Sequence, residues 1–150
     1  MTDMAKGALH GIKVLDLSRV LAGPSCTQVL ADLGAEVIKV ERPHIGDETR
    51  HWAPPKFSDD TSAYYATINR NKKSLTVDIT TSAGQTIIKQ LAETSDIVVE
   101  NFKVGGLKKY GLDYESLKQS NPRLIYASLT GFGQTGPDAE LPGYDYIIQG

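Results

Sequence analysis

Cysteine is nearly absent from this chain. One thiol, Cys26, stands among 150 residues, so no internal disulfide can form and a disulfide-stapled secreted design is excluded. A reducing, cytoplasmic-type compartment is the expectation, with the mitochondrial matrix as the alternative. Long apolar runs are missing too. Nothing approaches the roughly 20 residues needed to cross a bilayer, and the opening MTDMAKGALHG has no apolar signal core, so a soluble protein with no membrane partner is expected. There is no excess of one charge: 16 Lys and Arg stand against 18 Asp and Glu, a formal −2, which argues against a nucleic-acid partner. His10, His44 and His51 share no ligand spacing with the one cysteine, and no metal site is expected. Neither G-x-G-x-x-G nor G-x-x-x-x-G-K-[ST] occurs, which weakens the NAD and P-loop readings. What remains, 40% hydrophobic and 23% charged residues without repeats or low-complexity tracts, is an ordinary globular composition.

The apolar runs that are present are short and alternate with helical patterns. Residues 12–17, IKVLDL, read as a strand that ends at the breaker cluster Ala22-Gly23-Pro24. Pro24 suits the first position of a helix whose apolar residues run to a cap at Gly34. Strand 36–40 completes a βαβ unit, and a long loop follows over 41–60. The spacing then predicts a helix over 62–68, a strand over 74–79, a helix over 83–94 behind the capping candidates Thr81 and Ser82, and a strand over 97–99. Short helices over 107–110 and 114–119 precede a fifth strand at 124–129, and the closing GYDYIIQG looks like the opening of another helix. Five strands alternating with helices predict an α/β fold, an open parallel sheet with flanking helices and ligands at the carboxyl ends of its strands. A chain stopping inside a helical pattern is expected to be the front part of a longer polypeptide.

Candidate sites follow from that placement. The turn Val20-Leu21-Ala22-Gly23-Pro24-Ser25 presents N–H groups at a helix start, which favours phosphate or carboxylate, though an ordinary tight turn has the same look. Arg42 after strand two, and Arg70, Lys72 and Lys73 in NRNKK, are cations placed to hold phosphates or simply to face water. The Glu100-Asn101-Phe102 turn and the glycine-rich loop at 131–137 follow strands four and five and have equally bland readings as turns and core plugs. Cys26 reads as a packed thiol rather than a nucleophile, because no histidine is spaced to serve it. Asp16, Asp47 and Asp145 are candidate carboxylates, and Asp16 reads better as support for the neighbouring loop.

The segments RVLAGPSCTQVLADLGAEVIKVERPHIGDETRHW, NRNKKSLTVD, DIVVENF, YGLDYESL, NPRLIYASLTGFGQTGP and PGYD, six blocks in order over residues 11–150, resemble the family III CoA-transferases, the CaiB/BaiF family. VLAGP and VERPHIGDETR look most like the branch that moves CoA among dicarboxylic acyl groups. The resemblance implies that residues 1–150 form the N-terminal, Rossmann-like CoA-binding portion of a large domain, in a homodimer of interlinked chains. It implies coenzyme A, carried as acyl-CoA, and a carboxylic acid as substrates. It places CoA contacts on Leu21, Ala22, Arg42, Val77, Asp78, Ile79, Thr80, Asn101, Phe102, Lys103 and Lys109; Lys72 is added on charge alone. The family's nucleophile is an aspartate that forms an anhydride with the acyl group and then a thioester with CoA. Motif order puts it after PGYD and beyond Gly150, so no catalytic residue is assigned within the chain. Leu21 stands where oxalate-handling relatives carry Gln, which disfavours a formyl or oxalate substrate. Tyr144 stands where the superfamily's racemases carry His; with an ordinary pKa of about 10 it is a poor base, leaving racemisation as the alternative within the fold. A non-catalytic CoA- or nucleotide-binding fragment is the alternative outside it.

Overall fold

The computed structural model describes residues 7–57 and 60–150. Five parallel strands, β1 (Lys13–Asp16), β2 (Glu36–Glu41), β3 (Lys72–Thr76), β4 (Ile97–Glu100) and β5 (Ile125–Ser128), lie in the order β3-β2-β1-β4-β5. Helices α1 (Ala22–Asp32), α2 (Ala63–Asn69), α3 (Ser82–Glu93), α4 (Tyr114–Leu117) and α5 (Asp145–Gln149) connect or follow them. This is the open parallel α/β sheet expected from the alternating pattern, with the Rossmann-like order the resemblance implies. No described helix is long and apolar enough to cross a membrane.

The central strands β1, β2 and β4 are largely buried, which is why their runs are mostly apolar rather than strictly alternating, whereas the edge strand β3 is largely exposed. Val14, Val37 and Val99 meet Ala31 and Ala35 on the α1 side. Leu15, Leu17, Val40, Val77 and Val98 meet Ile88 and Ala92 of α3 on the other, together with Leu107, Leu112 and Leu117. The small residues of α1 let it approach closely. A Cβ at Gly23 would stand 2.2 Å from the Ser18 Cβ, so only glycine lets the helix begin over the end of β1.

The boundaries shift where tertiary contacts decide them. Helix α1 begins at Ala22, two residues before Pro24, because Gly23 seats its first turn on Ser18. Strand β3 runs over Lys72–Thr76 rather than 74–79: Lys72 pairs with Val37, and at the far end Asp78 turns the chain off the sheet by accepting from the Thr80 N–H (2.9 Å) and hydroxyl (2.6 Å). Residues 77–80 thus become a loop at the carboxyl edge. The loop over 41–60 also contains a 3-10 turn, Glu48–His51, that no periodicity announces.

Candidate active-site cleft

The loops that follow β1, β2, β3 and β4 enclose a cleft of about 660 Å³ at the carboxyl end of the sheet. Its apolar walls are Leu17, Val40, Val77, Ile79, Phe102 and Tyr110, and its cations are Arg19, Arg42, Lys103 and Lys109. Arg19 lies with its guanidinium carbon 5.0 Å from the Phe102 ring centre, and the Lys109 ammonium lies 4.8 Å from the Tyr110 ring centre. A slot that is greasy within and cationic around it suits a flat heteroaromatic group carrying phosphates.

Beneath the rim lie three buried polar clusters. The Asp16 carboxylate accepts from the Ser18 N–H (2.9 Å), the Ser18 hydroxyl and the Thr27 hydroxyl (2.6 Å), pinning the turn between β1 and α1. Lys39, 1% exposed, donates to the Ser18 carbonyl (2.9 Å) and pairs with Asp47 at 2.9 Å. Asp47 in turn accepts from the Thr49 N–H (3.0 Å) and hydroxyl (2.7 Å), which builds the 3-10 turn. Glu41 takes both arms of Arg50 (2.6 and 2.7 Å), the Tyr65 and Ser74 hydroxyls (2.8 and 2.7 Å) and the Asp47 N–H (2.9 Å). Those bonds fix the loop from Arg42 to Asp47, one wall of the cleft.

The same bonds set the acid response. Burial alone would raise the Glu41 pKa, but the donors from Arg50, Ser74, Asp47 and Tyr65 outweigh it and hold the carboxyl at about 2. Asp47 is lowered likewise, its burial outweighed by Lys39 and Thr49. A folded pKa below the unfolded one stabilises at all pH values above the unfolded pKa, and that stability is lost as pH falls through the folded one. Stability is therefore expected to drop between pH 4.5 and about 2, with Glu41 contributing about 3 kcal/mol. Glu100 opposes this, since burial raises its pKa against the bonds from Ser128 and the Phe102 N–H. Denaturant midpoints measured across that range check it: Glu41→Gln should flatten the loss, and an unchanged slope would contradict the assignment.

Of the residues expected at a CoA site, Arg42, Val77, Asp78, Ile79, Thr80, Phe102, Lys103 and Lys109 all line the cleft. Asn101 stands behind it as a clamp, accepting from the Arg19 N–H (2.8 Å) and donating to the Arg19 carbonyl (2.7 Å), so that the β4 turn holds the β1 turn. Leu21 and Ala22 are exposed at the start of α1, outside the cleft lining. Lys72 is a correction. Placed as a loop cation, it instead opens β3, and its ammonium is buried on Asp16 (3.2 Å), the Pro24 carbonyl (2.8 Å) and the Asn69 side chain (3.1 Å). Burial lowers its pKa to about 8 although Asp16 pulls upward. Arg19, His44 and Tyr110 also line the cleft, none of them expected there from the sequence, and Glu48, likewise not expected, pairs with Arg19 and Arg42. Arg19, directly after β1 and ahead of the glycine turn, was open to the same strand-end logic as Arg42.

Comparison with known proteins identifies the family. A family model described as CoA-transferase family III matches residues 9–150. A succinate–glutarate CoA-transferase from Agrobacterium fabrum is 55% identical over 157 residues, spanning 100% of this chain and 39% of that protein. A succinyl-CoA:glutarate CoA-transferase from Homo sapiens is 54% identical over 139 residues, spanning 93% of this chain and 32% of its own length. Among solved structures, a CaiB/BaiF family protein from Brucella suis superposes with a TM-score of 0.91 at 54% identity, covering 96% of this chain and 39% of that one. The chain thus spans about a third to two fifths of the length of these relatives.

Proposed function

This chain belongs to CoA-transferase family III, and from that premise we propose that it forms the CoA-binding portion of an enzyme that moves CoA from an acyl-CoA to a dicarboxylic acid. One observation carries the reading: a single cleft at the carboxyl end of the sheet combines apolar walls with four cations, Arg19, Arg42, Lys103 and Lys109. An adenine ring fits between Ile79, Phe102 and Tyr110, where burial and stacking hold it. Arg42 and the lysines then neutralise phosphate oxygens, Arg42 through paired N–H donors and the lysines as point charges. Leu21 and Ala22, at the start of α1 and outside the cleft lining, are proposed contacts of the same ligand. Succinyl and glutaryl groups are the first substrates to test, because the Agrobacterium and human relatives carry those names.

Within this chain the work is binding and orientation. Asp16 and Asp47 are buried and bound to Lys72 and Lys39, so neither is free to attack a thioester. We assign the nucleophile to an aspartate that follows PGYD in motif order. The interlinked homodimer and a cytoplasmic location belong to the same proposal.

The test uses the full-length protein with succinyl-CoA and glutarate. Chromatography is expected to show glutaryl-CoA rising as succinyl-CoA falls, and no exchange with any of a panel of dicarboxylic acids would overturn the reading. Calorimetric titration with CoA addresses the site itself. Arg42→Ala is expected to weaken binding by about 1–3 kcal/mol through loss of a charge-assisted contact. An unchanged dissociation constant in a correctly folded variant would remove Arg42 from the site.

A further inference from the structure

Two arginine–glutamate arrangements flank the cleft, and they are built differently. Arg50 meets Glu41 through two arms, and every oxygen of Glu41 is used. Arg19 and Arg42 instead share one oxygen of Glu48, Oε1, at 2.8 and 3.2 Å. The other oxygen, Oε2, and the Arg19 Nε are both buried, and neither has a hydrogen-bond partner among the described residues. Buried polar atoms are rarely left unpaired, and an ion pair built for stability would close as Arg50 and Glu41 do.

The backbones on both sides are fixed. Arg19 is clamped by Asn101, and the 3-10 turn carrying Glu48 is held by Asp47, itself paired with Lys39. Only the side chains have freedom, and the Arg42 side chain is 53% exposed. The cluster is therefore a single carboxylate between two guanidiniums, at the place where an anionic ligand would need those guanidiniums.

We propose that Glu48 is a positioning residue that aligns Arg19 and Arg42 and competes with the ligand's phosphates for them, so that acyl-CoA is bound loosely enough to leave. The inference rests on the CoA-binding reading above. A phosphate arriving at Arg42 takes over the donor now given to Glu48, while Arg19 keeps the carboxylate. The carboxylate then repels the bound anion and favours its release.

The test compares wild type with Glu48→Gln in the full-length protein, titrating CoA and, separately, inorganic pyrophosphate. Glu48→Gln keeps the shape and removes the charge. It is expected to tighten both ligands, by roughly three- to tenfold at low salt, with less gain at high salt. The KM for acyl-CoA should fall with it. In an Arg42→Ala background the gain should shrink, since the competition acts through that side chain. A merely structural Glu48 gives the opposite sign: loss of the anchor weakens both ligands. Unchanged or weaker binding by a folded Glu48→Gln overturns the inference. If wild type binds pyrophosphate but not CoA, the CoA reading fails while the pyrophosphate comparison still decides the role of Glu48. If neither form binds either ligand, both fall.

Discussion

Glu41→Ala is expected to lower the unfolding free energy by about 3–5 kcal/mol, because it removes one partner of a buried ion pair and leaves the other unanswered. Glu41 is only 4% exposed, and Arg50, Tyr65, Ser74 and the Asp47 N–H all converge on its carboxylate. Three of these donors come from different elements: the 3-10 turn, α2 and β3. With the carboxylate gone, the loop from Arg42 to Asp47 loses its internal anchor, and that loop is a wall of the cleft. Two measurements should therefore move together, the urea midpoint and the CoA dissociation constant. A cost under about 1 kcal/mol would place the cluster among the many ion pairs that add little.

Gly84→Ala should have the next largest effect, through the neighbouring wall that follows β3. An added Cβ would stand 1.9 Å from the Asp78 carbonyl oxygen and 2.7 Å from its carbon. Both are backbone atoms, so the helix or the loop must move. The first turn of α3 is capped by the Thr81 hydroxyl on the Gly84 N–H (3.1 Å), which ties the glycine to the cleft-lining segment from Val77 to Thr80. Overpacking of this kind costs about 1–3 kcal/mol. The shift of Asp78 and Ile79 is expected to weaken CoA binding at least tenfold, since about 1.4 kcal/mol of lost contact is a factor of ten. Serine or alanine tolerated there with full CoA affinity would show that the loop is not held by this contact.

How much of this was legible in the sequence differs by residue. The central strands are legible because both of their faces are buried, so runs such as KVLD and IVVE contain little else to misread. Arg42 and Phe102 are legible because loops after parallel strands meet at one edge, whereas Lys103 comes from the family resemblance. The resemblance to a known family supplied Lys109 and the segment from Val77 to Thr80. Lys72 was misplaced because local sequence does not say where an edge strand begins; pairing with Val37 decides that. Glu48 was invisible for a related reason. Its turn is built by Asp47 accepting from the Thr49 N–H and hydroxyl and is held from β2 by Lys39, side-chain contacts with no periodic signature. Arg19 needed only a wider view of the first turn.

A crystal of the full-length protein grown with CoA tests most directly whether this cleft is the CoA site. The nucleotide is expected in the cleft, its adenine against Ile79, Phe102 and Tyr110 and its phosphates within hydrogen-bond reach of Arg42 and a lysine, Lys103 or Lys109. A nucleotide bound away from the loops that follow β1 to β4, with Arg42 still on Glu48, would contradict it.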